Sequence, residues 1–118
     1  MAQVDLSNPT TLSQVLKVLQ ESDTERIRQA EKVLKPFAKN AGCVGPLLQQ
    51  IQGNPDEAVR LQAALLLKRG IARHYKKMPP DQQAALRATV LNMLTAEAVG
   101  VVRTAIAGYF HFVSILSS

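Results

Sequence analysis

Three segments of the sequence share one pattern, and their spacing constrains the fold more than any other feature. Each segment has an acidic residue near its start, then a β-branched residue followed by arginine, and a small residue two or three positions later. The arginines are Arg28, Arg60 and Arg103, which lie 32 and then 43 residues apart. Repeats of about this length, built from paired helices, are typical of a helical solenoid, in which each pair buries its apolar face against the next.

Apolar residues recur at helical spacing along almost all of the chain, and no segment alternates as a half-buried strand would. The glycines and prolines, six of each, lie mostly between these periodic segments. The pattern predicts an all-α fold, a right-handed α-solenoid of about three antiparallel helix pairs over residues 10–39, 43–76 and 79–116. Asp23 is placed to cap the second helix, and Asp56 and Glu57 suit the positive end of the dipole where the fourth helix starts. The sixth helix is predicted to begin near Thr95 or Ala96.

Composition narrows the class of protein. The chain is 47% hydrophobic, which is enough to bury a core. Its single cysteine, Cys43, cannot form an internal disulfide or a zinc site by itself. The amino terminus lacks the basic and apolar regions of a signal peptide, and the longest apolar stretch, 105–116, is shorter than the ~18–20 residues of a membrane span. We therefore expect a cytosolic or nuclear protein without a membrane span.

The net charge of +5 comes from one run, residues 60–77. This run holds six Lys and Arg and no Asp or Glu, whereas the rest of the chain has eight basic and nine acidic residues. On a helix, Arg69, Arg73 and Lys76 fall within about 60° of arc, and Lys68 lies about 80° beyond them. One face of the fourth helix is therefore predicted to be a basic stripe.

Three interpretations of the stripe stay open on these residues alone. The side chains are solvated and favoured by the carboxyl end of a helix, or they bind nucleic acid or serve as a localisation signal, or they face an acidic protein. Only Tyr75 could stack on a base, and no groove-reading motif is present, which disfavours nucleic acid.

The three repeated segments resemble HEAT repeats, in which the second helix of each pair begins with Asp and continues with Val-Arg and small residues. The stretch 62–91 resembles the amino-terminal region of the importin-β superfamily (karyopherin-β) of nuclear transport receptors, and 16–30 is similar to the importin-four type of that superfamily. The residues that carry the longer match are Leu67-Lys68, Ile71, Tyr75 where many members have Trp, Pro79-Pro80 in the loop, and Leu86, Val90 and Leu91 in the next helix.

The resemblance implies that residues 1–118 are a HEAT-repeat segment of a longer nuclear import receptor. Its second helices would line a concave surface that binds the GTP-bound form of the small GTPase Ran and so controls cargo release. The Ran-binding residues would be Lys68, Arg69, Arg73 and Lys35. From the repeated acidic residues and arginines themselves, and not from the resemblance, we expect a structural ladder between repeats that involves Arg28, Arg60, Arg103 and Asp56. Cargo and nucleoporins would bind only the full-length receptor, which would shuttle between cytoplasm and nucleus.

Two other functions stay open: a HEAT-repeat scaffold or adaptor with an unrelated partner, and a small basic helical protein that binds nucleic acid. We expect no enzyme, no cofactor and no metal site, because His74, His111 and Cys43 stand apart from any activating partner in the sequence. The segment 108–118 is more apolar than the end of a solenoid normally is, which predicts a fragment, an alternative carboxyl terminus or a dimer.

Overall fold

The helices form in the order that the periodicity predicts. A computed structural model of the chain describes residues 5–116, and the side chains of residues 5–108. This part of the chain is helical without strands, so the all-α prediction is confirmed. The helices are α1 (Pro9–Val18), α2 (Thr24–Lys39), α3 (Val44–Gly53), α4 (Glu57–His74), α5 (Pro80–Ala96) and α6 (Gly100–Leu116), with 3₁₀ turns at Ala41–Cys43 and Tyr75–Lys77.

The helices stack in pairs around α4. Sequence neighbours pack against each other as α1 with α2, α3 with α4 and α5 with α6, and α4 also contacts α1, α2 and α6. The buried residues of α4 are Val59, Ala63, Ala64, Leu67, Gly70, Ile71 and His74. A helix covered on several sides needs apolar residues around most of its circumference, as its sequence predicts. The exposed side chains of α4 are consequently confined to the remaining face.

Two aspartates cap the starts of helices, Asp23 as predicted and Asp56 at the helix start that the sequence indicated. One carboxylate oxygen of Asp23 accepts hydrogen bonds from the backbone N–H groups of Glu25 at 3.0 Å and Arg26 at 3.3 Å. The carboxylate of Asp56 accepts the N–H of Ala58 at 2.9 Å. Both residues thus satisfy amide groups that have no partner within the helix, and they fix where α2 and α4 begin.

A polar cluster joins the first two helix pairs on the side of α1 and α3. The Gln50 side chain is only 4% exposed, and its Nε2 donates a hydrogen bond to the carbonyl oxygen of Pro9 at 2.9 Å. Nδ2 of Asn54 donates to Oγ of Ser13 and to Oε1 of Gln50, each at 2.9 Å. Since buried amides are costly without partners, these bonds fix α3 against the start of α1.

The predicted start of the sixth helix was wrong. Residues Thr95 and Ala96 belong to the last turn of α5, and α6 begins at Gly100. Glu97 is extended, with φ −78° and ψ 121°, and its N–H bonds to the carbonyl of Met93 at 2.9 Å, which closes α5. Its carboxylate accepts the N–H of Val99 at 3.1 Å. The helix break is therefore made by Glu97 and not by a glycine or proline.

None of the helices in residues 5–116 is long and apolar enough to cross a bilayer. The aromatic side chains of 109–118, on which the predictions about a fragment or dimer rest, lie outside the described side chains, and so does His111.

Candidate functional site

A groove lies between α2 and α4, the second helices of the first two pairs. It has a volume of about 1020 Å³. Its basic residues are Lys35, Lys39, Arg69 and Arg73, and its one carboxylate is that of Glu31. The remaining lining residues are Leu19, Ile27, Leu34, Ala38, Gln62, Leu65, Leu66 and Ala72. The groove thus combines an apolar floor with an excess of positive charge.

The carboxyl ends of the two helices meet at one end of the groove. Nε2 of the buried His74, the last residue of α4, lies 3.1 Å from the carbonyl oxygen of Ala38 near the end of α2. The four basic residues all lie in the carboxyl-terminal halves of their helices, so they gather toward this end. The negative pole of each helix dipole favours cations there, which accounts for their placement without a ligand.

The groove cations are available to a partner. Lys35, Lys39, Arg69 and Arg73 are all exposed. The ion pairs among the described side chains join Arg26 to Glu21, Arg28 to Glu25 and Arg60 to Glu97. None of them involves the groove. An acidic partner would therefore meet four positive charges that are not already neutralised by carboxylates of the described chain.

Three of the four predicted Ran-binding residues come together here. Lys35, Arg69 and Arg73 line the groove, whereas Lys68 is exposed on α4 but outside it. Lys68 lies about 100° around the helix from Arg69, which is enough to move its side chain off the groove wall. The sequence prediction omitted Lys39, although its spacing of four residues from Lys35 places both on one helical face.

The ion pair of Arg60 and Glu97 links the second helix pair to the third. Arg60 Nε lies 2.9 Å from Glu97 Oε1, and Nη2 lies 3.2 Å from Oε2. Arg60 Nη1 also donates to the carbonyl oxygens of Asn54 at 3.0 Å and Pro55 at 3.2 Å. The side chains are 16% and 6% exposed. A single guanidinium therefore holds the turn before α4 and the turn before α6 together.

Two opposing influences set the pKa of Glu97. Burial alone would raise it, because the charged carboxylate loses water. The hydrogen bonds from Arg60 and from the N–H of Val99, together with the positive charge of Arg60, outweigh burial and hold the pKa of Glu97 below its ordinary value. The ion pair is therefore charged at neutral pH.

The other predicted ladder residues make different contacts. Asp56 caps α4 and forms no ion pair among the described residues. Arg28 lies 3.6 Å from Glu25 of its own helix, and both side chains are about two-thirds exposed, at 67% and 65%. Arg103 is exposed on α6, outside the described ion pairs. Of the predicted ladder residues, Arg60 is therefore the one whose ion pair, among the described side chains, joins two helix pairs, and its acidic partner is Glu97.

Cys43 is fully buried against α4. A Cβ atom built on Gly70 would lie 3.1 Å from its Sγ, so the glycine permits a close approach of the 3₁₀ turn to the helix. Burial raises the pKa of the Cys43 thiol, which keeps it protonated and a poor nucleophile. Among the described residues, no three His, Cys, Asp or Glu side chains converge as a metal site would require.

Comparison with known proteins points to one family. The family model of the importin-beta N-terminal domain matches residues 30–96. Importin-4 of Mus musculus is 31% identical over 99 residues, which cover 84% of this chain and 9% of that protein. Importin-4 of Homo sapiens is 28% identical over 86 residues, which cover 73% of this chain and 8% of that protein.

The matched region contains most of the groove. No solved structure matches the chain. The chain spans less than a tenth of the length of the two curated relatives. The family match begins in α2 and ends with α5, so it includes Lys35, Arg69 and Arg73. Because it covers more than half of the sequence and agrees with the stacked helix pairs, the chain belongs to the importin-β family through its N-terminal domain.

Proposed function

We propose that the chain is the amino-terminal GTPase-binding part of a nuclear import receptor. It binds the GTP-bound form of Ran through its second helices, α2, α4 and α6, and takes no catalytic part itself. Family membership supports the receptor assignment. The observation that carries the binding site is the convergence of unpaired basic residues from α2 and α4 on one groove.

Charge and apolar surface have separate roles in this binding. The cations of Lys35, Arg69 and Arg73 attract an acidic partner and raise the rate of encounter. The apolar floor, with the 45% exposed side chain of Leu65, supplies area whose burial slows dissociation. Lys68 is proposed as a peripheral contact, because the resemblance includes it but the groove does not.

Cargo release follows from linkage in the complete receptor. If Ran in its GTP form and cargo bind antagonistically, each lowers the affinity of the other by the same factor. This chain supplies only the GTPase side of that exchange, and cargo and nucleoporins bind later repeats. The receptor then shuttles between cytoplasm, where cargo is loaded, and nucleus, where Ran-GTP displaces it.

The test is a binding titration of the 118-residue chain with purified Ran, loaded either with GDP or with a non-hydrolysable GTP analogue. We expect binding to the GTP-analogue form that exceeds binding to the GDP form at least tenfold, a difference of about 1.4 kcal/mol. Arg69→Glu and Arg73→Glu should weaken it strongly, and Lys68→Glu less. Lys17→Glu is the control, since Lys17 is exposed on α1 and outside the groove.

Equal affinity for the two nucleotide states would refute the proposed function and leave a scaffold with another partner. Nucleic-acid binding would show a different signature, a steep loss of affinity with salt that does not depend on a GTPase. It would also be weakened by Lys76→Glu and Lys77→Glu, which lie outside the groove.

A further inference from the structure

The α2–α4 groove is electrically asymmetric along its length. Lys39 and Arg73 lie at the end where His74 meets Ala38, with Lys35 and Arg69 one turn earlier. Farther from that end the lining residues are neutral or acidic, namely Ile27, Glu31, Gln62 and Leu65. A ligand with uniform negative charge would therefore face repulsion from Glu31 over part of the groove.

The floor of the groove offers apolar surface rather than polar contacts. Leu34 is 3% exposed and forms part of the core beneath, whereas Leu65 is 45% exposed. Large exposed apolar side chains are few in the described chain, the others being Leu91 and Val101 outside the groove. A polyanion such as nucleic acid would leave this surface uncovered, but a leucine stripe would cover it.

The length of the groove suits a short helix. The lining residues of α2 run from Ile27 to Lys39, which corresponds to about 18 Å at 1.5 Å per residue, or about three turns. Grooves between helices commonly accept an amphipathic helix through anchors spaced three and four residues apart.

We propose that this groove docks an acidic amphipathic helix of a protein partner in one fixed direction. The partner helix carries carboxylates in its first turns, opposite Lys39 and Arg73, followed by an apolar stripe over Leu65 and Leu66. It runs antiparallel to α2 and α4, because the positive pole at its amino end then lies beside the negative poles at their carboxyl ends. The docking uses the groove that is also proposed for Ran, so the two ligands would compete, but it does not depend on a nucleotide state and so goes beyond the proposed function.

The experiment uses two synthetic helical peptides of identical composition, each about four turns long. One has glutamates in its first turns and a leucine stripe after them, and the other has this order reversed. Fluorescence anisotropy with the full 118-residue chain measures both affinities. We expect the first peptide to bind about threefold more tightly, because the reversed peptide can place its glutamates beside Lys39 and Arg73 only by lying parallel to α2 and α4, with like poles of the helix dipoles side by side.

Variants with a reversed charge test the basic end of the groove and the part that contains Glu31. Arg73→Glu should lower the affinity for the first peptide about tenfold or more, and Lys17→Glu should leave it unchanged. Glu31→Lys should narrow the difference between the two affinities, because it puts a positive charge farther from the Lys39 and Arg73 end of the groove as well. These side chains are exposed, and circular dichroism of each variant verifies that the helices are retained.

Equal binding of the two peptides, binding that ignores Arg73→Glu, or equally tight binding of polyglutamate would overturn the proposal. The peptide titration contains no GTPase, so it separates the two proposals. State-selective Ran binding without peptide binding would retain the proposed function and reject the docking helix. Peptide binding without state-selective Ran binding would retain the docking helix and reject the proposed function.

Discussion

Arg60, near the start of α4, and Glu97, in the turn before α6, form a two-bond ion pair with N–O distances of 2.9 and 3.2 Å. Each partner also bonds to backbone, Arg60 to the carbonyls of Asn54 and Pro55, and Glu97 to the N–H of Val99. The ion pair therefore holds together the backbone segments that precede α4 and α6.

Removing Arg60 should destabilise the chain more than removing any other paired arginine. Arg60→Ala leaves a mostly buried carboxylate and two backbone carbonyls without their donor, at a cost of about 2–4 kcal/mol. Arg28→Ala is the matched comparison, because its pair is exposed and should cost less than about 1 kcal/mol. Urea unfolding measures both. Similar losses for the two variants would show that the ion pair contributes little.

Stability should fall in acid because of Glu97. Its pKa is lower in the folded chain than the ordinary value of 4.5, so the unfolded chain binds more protons at acidic pH. The contribution of Glu97 is fully present above about pH 4.5 and is lost as pH falls through the lower, folded pKa. The free energy of unfolding at pH 7 and pH 3 should therefore differ less in Glu97→Gln than in the unsubstituted chain. An equal difference in both would contradict the pKa shift.

The hydrogen bonds by which Asp23 and Asp56 cap their helices should each stabilise the folded chain. Asp23→Ala and Asp56→Ala each remove an acceptor from the first turn of a helix and should cost about 1 kcal/mol. Asp81→Ala is the control, because Asp81 lies in the first turn of α5 without serving as its cap. Thermal unfolding followed by circular dichroism would compare the three, and equal shifts would mean that charge near the helix dipole matters rather than the hydrogen bond.

Cys43 should report on the opening of the contact between the 3₁₀ turn Ala41–Cys43 and α4. Its thiol is buried with a raised pKa, so a thiol reagent should react slowly with the native chain and much faster in urea. Because this contact includes the close approach at Gly70, Gly70→Val should increase the native reaction rate. Rapid reaction of the unsubstituted native chain would show that the turn opens readily.

Local sequence signals were sufficient for most of the fold. Apolar spacing identified the six helices, and Asp23 and Asp56 identified two of the helix starts, because these features act within a few residues. The start of α6 could not be found in this way. Residues 95–98 read Thr-Ala-Glu-Ala, which favours helix without interruption, and the break occurs where Glu97 turns toward Arg60, a contact 37 residues distant.

The binding groove could be predicted only in part, because tertiary contacts decide which side chains line it. The basic run and the family resemblance selected Arg69, Arg73 and Lys35, but a motif does not specify the angle at which each side chain leaves its helix. Lys68 belongs to the motif and lies outside the groove, whereas Lys39 lies inside it. The difference depends on which face of α4 packs beside α2, and that is decided by tertiary contacts such as His74 with Ala38.

The bonds made by Arg60 and Glu97 also limit how the chain can change in length. An insertion between Asn54 and Asp56, or between Glu97 and Val99, would displace one of the backbone groups that these side chains hold. Homologues that keep the pair should therefore show no gaps at either turn, and those that lose it should be the ones in which these loops vary.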